Sequence, residues 1–281
     1  MQFLHRKSYF YLKALLSDFV DNLIKSKVFK IKKYCLLAST NFSIIKTLRG
    51  ACMFITFEGG EGSGKSTIIK KIKALFDESS NSAKYSLINE TINQKVPLIF
   101  TREPGGLNIA LAEEIRDVCL HPKHTTMQSE TEALLFAASR SEHVKQLIEP
   151  NRESSLIICD RYIDSSYVYQ GVARGLGIEY IKQINKNTLN CLPDLTFIFI
   201  INHENGLNRV SARNKINRLD KESREFHNKI DETYRELKNI FPERKYIEIN
   251  AEAEVDTVFL QVFTNLKAEL AKRNIKIVEN V

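Results

Sequence analysis

The 281-residue chain carries 41 Lys and Arg against 34 Asp and Glu, a net charge of +7, with 43% hydrophobic and 27% charged residues. That balance excludes a disordered chain, and the length suits one α/β domain with an extension or two small domains. No apolar run approaches a membrane span. Five cysteines (Cys35, Cys52, Cys119, Cys159, Cys191) form no C-x-x-C pair and have no His at zinc-ligand spacing, against a disulfide scaffold or zinc site and in keeping with a reducing cytoplasm.

Residues 1–52 hold ten of the basic residues and only two acids, Asp18 and Asp21, so this segment carries a surplus of eight and leaves the remainder near −1. The high pI thus belongs to the extension, and the main body gives no basis for nucleic-acid binding. Leu12, Leu15, Leu16, Phe19, Val20, Leu23 and Ile24 line one face of a helix expected from about Ser8 to Lys25. Three readings stand: a targeting peptide, a basic amphipathic helix that meets a membrane or partner, or sequence upstream of a true start at Met53. The place of Met53, directly before the first strand, favours the last; the helical spacing opposes it.

From Met53 the pattern alternates strand and helix. Strands are expected at Phe54–Phe57, Val96–Thr101, Leu156–Cys159, Leu195–Ile201 and Tyr246–Asn250. Helices are expected at Lys65–Phe76, Leu107–Leu120, Gln128–Glu149 and Ile178–Leu189, with a last helix placing Val255, Val258, Val262, Leu266 and Leu270 on one face. Such alternation predicts an α/β fold with a five-stranded parallel sheet flanked by helices on both sides. The polar stretch from about Asp77 to Lys95 is expected to lengthen a surface loop or add a small hairpin.

Gly59-Gly60-Glu61-Gly62-Ser63-Gly64-Lys65-Ser66 matches G-x-x-x-x-G-K-[ST] between an apolar strand and an amphipathic helix, the context the motif requires. Glycines let backbone N–H groups turn toward phosphate oxygens, and the helix opening near Lys65, with Thr67 in its first turn, points its positive end at the same anion. Lys65 would neutralise the β- and γ-phosphates and Ser66 would ligate Mg²⁺. The chain therefore binds a nucleoside triphosphate, ATP being the donor expected. No base-reading N-K-x-D follows an apolar strand, which argues against a GTPase.

Two further motifs follow strand ends, where ligands of parallel sheets sit: Thr101-Arg102-Glu103-Pro104-Gly105-Gly106 and Asp160-Arg161-Tyr162. Arg102 and Arg161 beside the phosphate loop suggest a second phosphate opposite the triphosphate. With Phe57-Glu58 before the loop, Tyr169-Gln170-Gly171 and Pro193-Asp194-Leu195-Thr196, these motifs in this order resemble the thymidylate kinase family over about 53–272.

The resemblance implies a P-loop nucleoside monophosphate kinase domain over 53–281, ATP and dTMP as substrates, Mg²⁺, and a homodimer. It implies that Phe136 stacks on thymine and Arg140 bonds its edge, that Arg102 and Arg161 hold the dTMP phosphate, and that Ser166 and Tyr169 contact base and deoxyribose. Glu61 would meet the 3′-hydroxyl, and Asp160 and Glu58 would serve Mg²⁺ and its water shell. Gln170 is expected at the dTMP site without an assigned role. Residues alone leave Phe136 open as core, Arg140 as a solvated charge and Tyr169 as a packing tyrosine. A lid is expected at about 209–224, with Arg213 and Arg218 as its catalytic arginines beside Lys65 and Arg161, because the phosphate loop has no arginine. Two alternatives remain: a related kinase for another nucleotide or deoxynucleoside, and a non-catalytic nucleotide-binding module tethered by the basic N-terminus.

Overall fold

The structure, a computed structural model, describes residues 52–77, 83–211 and 217–280. The expectations for the 1–51 extension, and for Arg213 in the lid, fall outside these residues. Strand β1 (Met53–Gly59) is buried along its whole length. Such a strand has no solvent face, which is why it reads as an apolar run. It runs into the phosphate loop and helix α1 (Lys65–Phe76). Strands β2 (Tyr85–Asn89), β3 (Gln94–Lys95) and β4 (Leu98–Arg102) follow, then helices α2 (Ala110–Leu120) and α3 (Ser129–His143). After β5 (Leu156–Asp160) come α4 (Ile163–Ser166), which opens into π turns over Tyr167–Ala173, then α5 (Ile178–Ile184) and β6 (Leu195–Ile200). The chain ends with α6 (His203–Ser211), α7 (Arg224–Ile240), β7 (Tyr246–Asn250), α8 (Val255–Ala271) and β8 (Ile275–Glu279).

Five strands form one parallel sheet in the order β4-β5-β1-β6-β7, as the alternation predicts. Alternate residues of β1 feed two cores. Met53, Ile55 and Phe57 pack with Ile68 and Ile72 of α1 and Val258, Val262 and Leu266 of α8. Phe54 joins Ala133 and Phe136 of α3 and Ile230, Tyr234 and Leu237 of α7. Each fully buried Ile or Leu contributes roughly 1.5–3 kcal/mol. From β1 the chain crosses to the β4 edge, and from its neighbour β5 to β6 on the other side. The loops after β1 and β5 therefore part in opposite directions and leave a crevice at their carboxyl ends.

The structure moves several boundaries. The helix expected from Leu107 begins at Ala110, since Leu107 and Asn108 take positive φ of 40° and 71°. The helix expected over 128–149 loosens into a π turn at Val144–Ile148. The one expected over 178–189 stops at Ile184 and continues as a 3₁₀ segment, Lys186–Cys191. There Asn185 Nδ2 donates back to the Ile181 carbonyl at 2.8 Å.

The 77–95 stretch does build a hairpin, but with an unforeseen partner. β2 pairs antiparallel with β3 and with β8, Leu87 opposite Ile277 and Asn89 opposite Ile275. Leu87, Val96 and Ile275 bury into the α1/α8 core.

Candidate active site

The phosphate loop is built as its glycines require. Gly62 and Gly64 sit at φ 71° and 86°, a conformation that costs a residue with a Cβ. A Cβ on Gly62 would lie 2.0 Å from the Gly206 carbonyl, and one on Gly206 would lie 2.4 Å from that of Glu61. The loop thus rests directly on helix α6. Lys65 Nζ donates to the carbonyls of Gly59 and Gly60, both at 2.9 Å, and to Ser63 Oγ at 2.8 Å. Burial, then repulsion from Arg161, lowers the Lys65 pKa to about 7. Ser66 Oγ donates to Asp160 Oδ2 at 2.5 Å, joining the loop to the end of β5.

A cavity of about 210 Å³ opens beside this loop. It is lined by Glu61 through Ser66, by Arg102, Asp160 and Arg161 at strand ends, and by Phe136, Tyr169 and Gln170. Twelve of the residues singled out in the sequence therefore share one pocket. Arg161 holds an uncommon backbone conformation for a non-glycine, φ 67°. Its N–H donates to the Phe57 carbonyl at 2.9 Å, and Nη1 donates to the Gly59 carbonyl at 2.9 Å. Nη2 meets Glu61 at 3.2 Å, and the guanidinium lies 5.1 Å from the centre of the Tyr169 ring. The Tyr169 hydroxyl donates to Glu61. Burial would raise the Glu61 carboxyl, but Arg161, Lys65 and Tyr169 outweigh it and hold the group below its ordinary value. The strained arginine is thus fixed from several sides, as functional strain generally is.

Other expected residues stand elsewhere. Glu58, expected near the metal, is fully buried. Its carboxylate accepts from Tyr162 N–H at 2.7 Å, Ser165 Oγ at 2.7 Å and the Tyr234 hydroxyl at 3.1 Å. It caps the start of α4, where a carboxylate meets unpaired N–H groups. Burial and the Asp164 carboxylate push it up to about 7. Arg140 and Ser166 lie behind the pocket wall and not in it. Arg140 donates to Glu103 at 2.7 Å, Asn185 at 2.6 Å and Ser166 Oγ at 2.9 Å. Gly59, Gly60 and Thr67 support the loop without lining the cavity.

The largest departure is Arg218. Expected over the phosphates, it is 3% exposed, with Nε on the Cys119 carbonyl at 3.1 Å and Nη1 on Glu132 at 2.8 Å. Its side chain anchors the chain around residues 217–220 to α2 and α3. The neighbouring Asn217, Leu219 and Asp220 line the pocket instead.

Sequence reasoning missed Arg116 and Glu113, both on α2. Arg116 lines the cavity and donates to the Pro104 carbonyl at 2.6 Å. Burial, then the nearby Arg102, lowers its pKa. Glu113 pairs with Arg102 and accepts from the N–H groups of Gly106 at 3.0 Å and Leu107 at 3.1 Å. Their three-residue spacing was the available signal. Arg102, Arg116 and Arg161 thus line the same pocket as the phosphate loop's Lys65.

Among the described residues no helix is long and apolar enough to cross a membrane. A thymidylate kinase family model matches residues 57–262. The chain is 41% identical over 220 residues to a thymidylate kinase of Acholeplasma laidlawii, covering 78% of this chain and all of that one. It is 44% identical over 218 residues to a thymidylate kinase of Clostridium novyi, covering 76% and 98% respectively. The crystal structure of thymidylate kinase from Ehrlichia chaffeensis superposes with a TM-score of 0.55 at 28% identity, covering 76% of this chain and 97% of that one. With the phosphate loop and arginine cluster on one crevice, the chain belongs to the thymidylate kinase family.

Proposed function

We propose that the chain transfers the γ-phosphoryl group of ATP to the phosphate of dTMP, giving ADP and dTDP. The observation that carries this is one cavity walled by a phosphate loop and by Arg102, Arg116 and Arg161, with Phe136 beside them. Two phosphate-bearing ligands can meet there end to end. An acceptor oxygen attacks the γ-phosphorus, the bond to the β–γ bridging oxygen breaks, and ADP leaves with that electron pair. A phosphate monoester is largely ionised at neutral pH, so no strong general base is needed. What remains is positioning and charge neutralisation.

Lys65 and the loop N–H groups hold the donor, while Arg102, Arg116 and Arg161 hold the acceptor phosphate. Phe136 offers its ring to the base. Glu61 and Tyr169, bonded to each other, face the sugar: Glu61 toward the 3′-hydroxyl, Tyr169 where a 2′-hydroxyl would need room. Arg213 is the lid arginine assigned to the transferring group.

Ser66 and Asp160 fit a magnesium ion, since their oxygens are hard donors 2.5 Å apart at the cavity wall. Among the described residues no group of three or more His, Cys, Asp or Glu could hold a metal. Phosphate and water oxygens would complete a magnesium shell there, as is usual in kinases. Bound, the ion would supply further neutralisation of phosphate charge.

We also assign a homodimer to the outer face of α2 and α3, where Leu111, Val118 and Leu134 are exposed. A monomer at micromolar concentration in sedimentation would contradict that.

The acceptor is tested with the full chain and Mg-ATP against dTMP, dUMP, dCMP, dGMP, UMP and thymidine. Turnover is expected fastest with dTMP. Preference for thymidine or a purine monophosphate would overturn the substrate.

A further inference from the structure

Glu132 lies in the first turn of α3, one helical turn before Phe136, and is completely buried. Its Oε1 accepts from Gln170 Nε2 at 2.8 Å and from Arg174 Nε at 3.4 Å. Its Oε2 accepts from Arg174 Nη2 at 3.1 Å and Arg218 Nη1 at 2.8 Å. With two guanidiniums on it, this carboxylate offers Gln170 only acceptor sites. Gln170 must therefore give it the amide nitrogen, which leaves the carbonyl oxygen as the other face of the amide. No donor among the described residues bonds that oxygen, and Gln170 is part of the cavity wall.

From this we infer that Glu132 is a positioning residue for base selection: it locks the Gln170 amide so that the pocket presents a fixed hydrogen-bond acceptor. The inference rests on the dTMP kinase reading and adds a rule to it. Thymine and uracil carry an N–H at N3, which a carbonyl oxygen accepts. Cytosine carries a lone pair there, which the same oxygen repels. A free glutamine could turn its amide over and serve both; one held by Glu132 cannot. A site that demands a particular donor rejects a ligand lacking it far more strongly than an apolar pocket does. Arg174 and Arg218 contribute by occupying the remaining lone pairs of Glu132.

The test uses the full chain with Mg-ATP and compares kcat/KM for dTMP, dUMP and dCMP in wild type, Glu132→Gln, Gln170→Met and the double variant. Wild type is expected to favour both N3–H bases over dCMP. Gln170→Met should erase most of that preference. Glu132→Gln, which can donate as well as accept, should narrow the dTMP to dCMP ratio about tenfold or more. The double variant should narrow it no further than Gln170→Met, and the KM for ATP should stay constant. A merely structural role would lower all acceptors alike and leave the ratio unmoved, which would overturn the inference. So would additive effects, or an unchanged ratio in Gln170→Met, which needs no information from a poorly folding Glu132→Gln. Wild type using dTMP and dCMP equally would sink this inference and leave the kinase; no transfer to any monophosphate would sink both.

Discussion

Lys65→Met is expected to lower kcat/KM by at least about 10²–10³-fold, the loss that follows removal of one preorganised group aimed at developing charge. Its fold should be no less stable than wild type. Lys65 is 6% exposed, and its ammonium is held at about pKa 7 against an ordinary 10.5, by burial first and by Arg161 second. A lysine depressed in the folded state costs stability wherever the unfolded chain protonates it. That cost is full below about pH 7 and is relieved as the pH rises toward 10.5. Methionine escapes it, so the variant should gain most on wild type near pH 7 and least near pH 10. Thermal melts at both values, beside turnover assays, check this. Lost activity with a markedly lower Tm at pH 7 would instead make Lys65 a structural staple of the loop, which it also bonds through two carbonyls.

Arg218→Met separates a buried anchor from a catalytic arginine. Removing one partner of a buried ion pair costs about 3–5 kcal/mol. Glu132 keeps Arg174 and Gln170, so the low end applies. For a body of this size that lowers Tm on the order of 10 °C. Arg213→Ala, in contrast, is expected to leave Tm near wild type and lower kcat by about 10³-fold or more, the worth of an arginine at a transferring phosphoryl group. Paired melts and single-turnover assays decide it. If Arg218→Met kept its Tm and lost kcat, Arg218 would act on the phosphates after all.

Lys65 and Arg218 also mark where the sequence was legible and where it was not. The phosphate loop could be read because all its chemistry lies in eight consecutive residues between a strand and a helix. The parallel sheet was legible in the alternation of apolar runs and helical spacing. Arg102, Asp160 and Arg161 could be placed because strand carboxyl ends converge in this architecture. Arg218 could not be, because the carboxylate that claims it is on α3, far away in sequence, and a charge run gives no sign of which member is buried. Glu58 misled for a similar reason: its partners, Tyr162, Ser165 and Tyr234, come from two later helices. The β2–β8 pairing joins a polar insert to the chain's end, and only Ile275 and Ile277 flanking Lys276 hinted at a strand. The π turns that set Tyr169 and Gln170 in the wall have no periodicity signal of their own.

The central claim is direct transfer between two phosphates in one crevice, and rapid quench of the full chain with γ-labelled ATP and dTMP addresses it. The account predicts label in the β-phosphate of dTDP, appearing in step with ADP. Label released as inorganic phosphate despite bound dTMP, or carried onto the 3′-hydroxyl of dTMP in place of its phosphate, would contradict it.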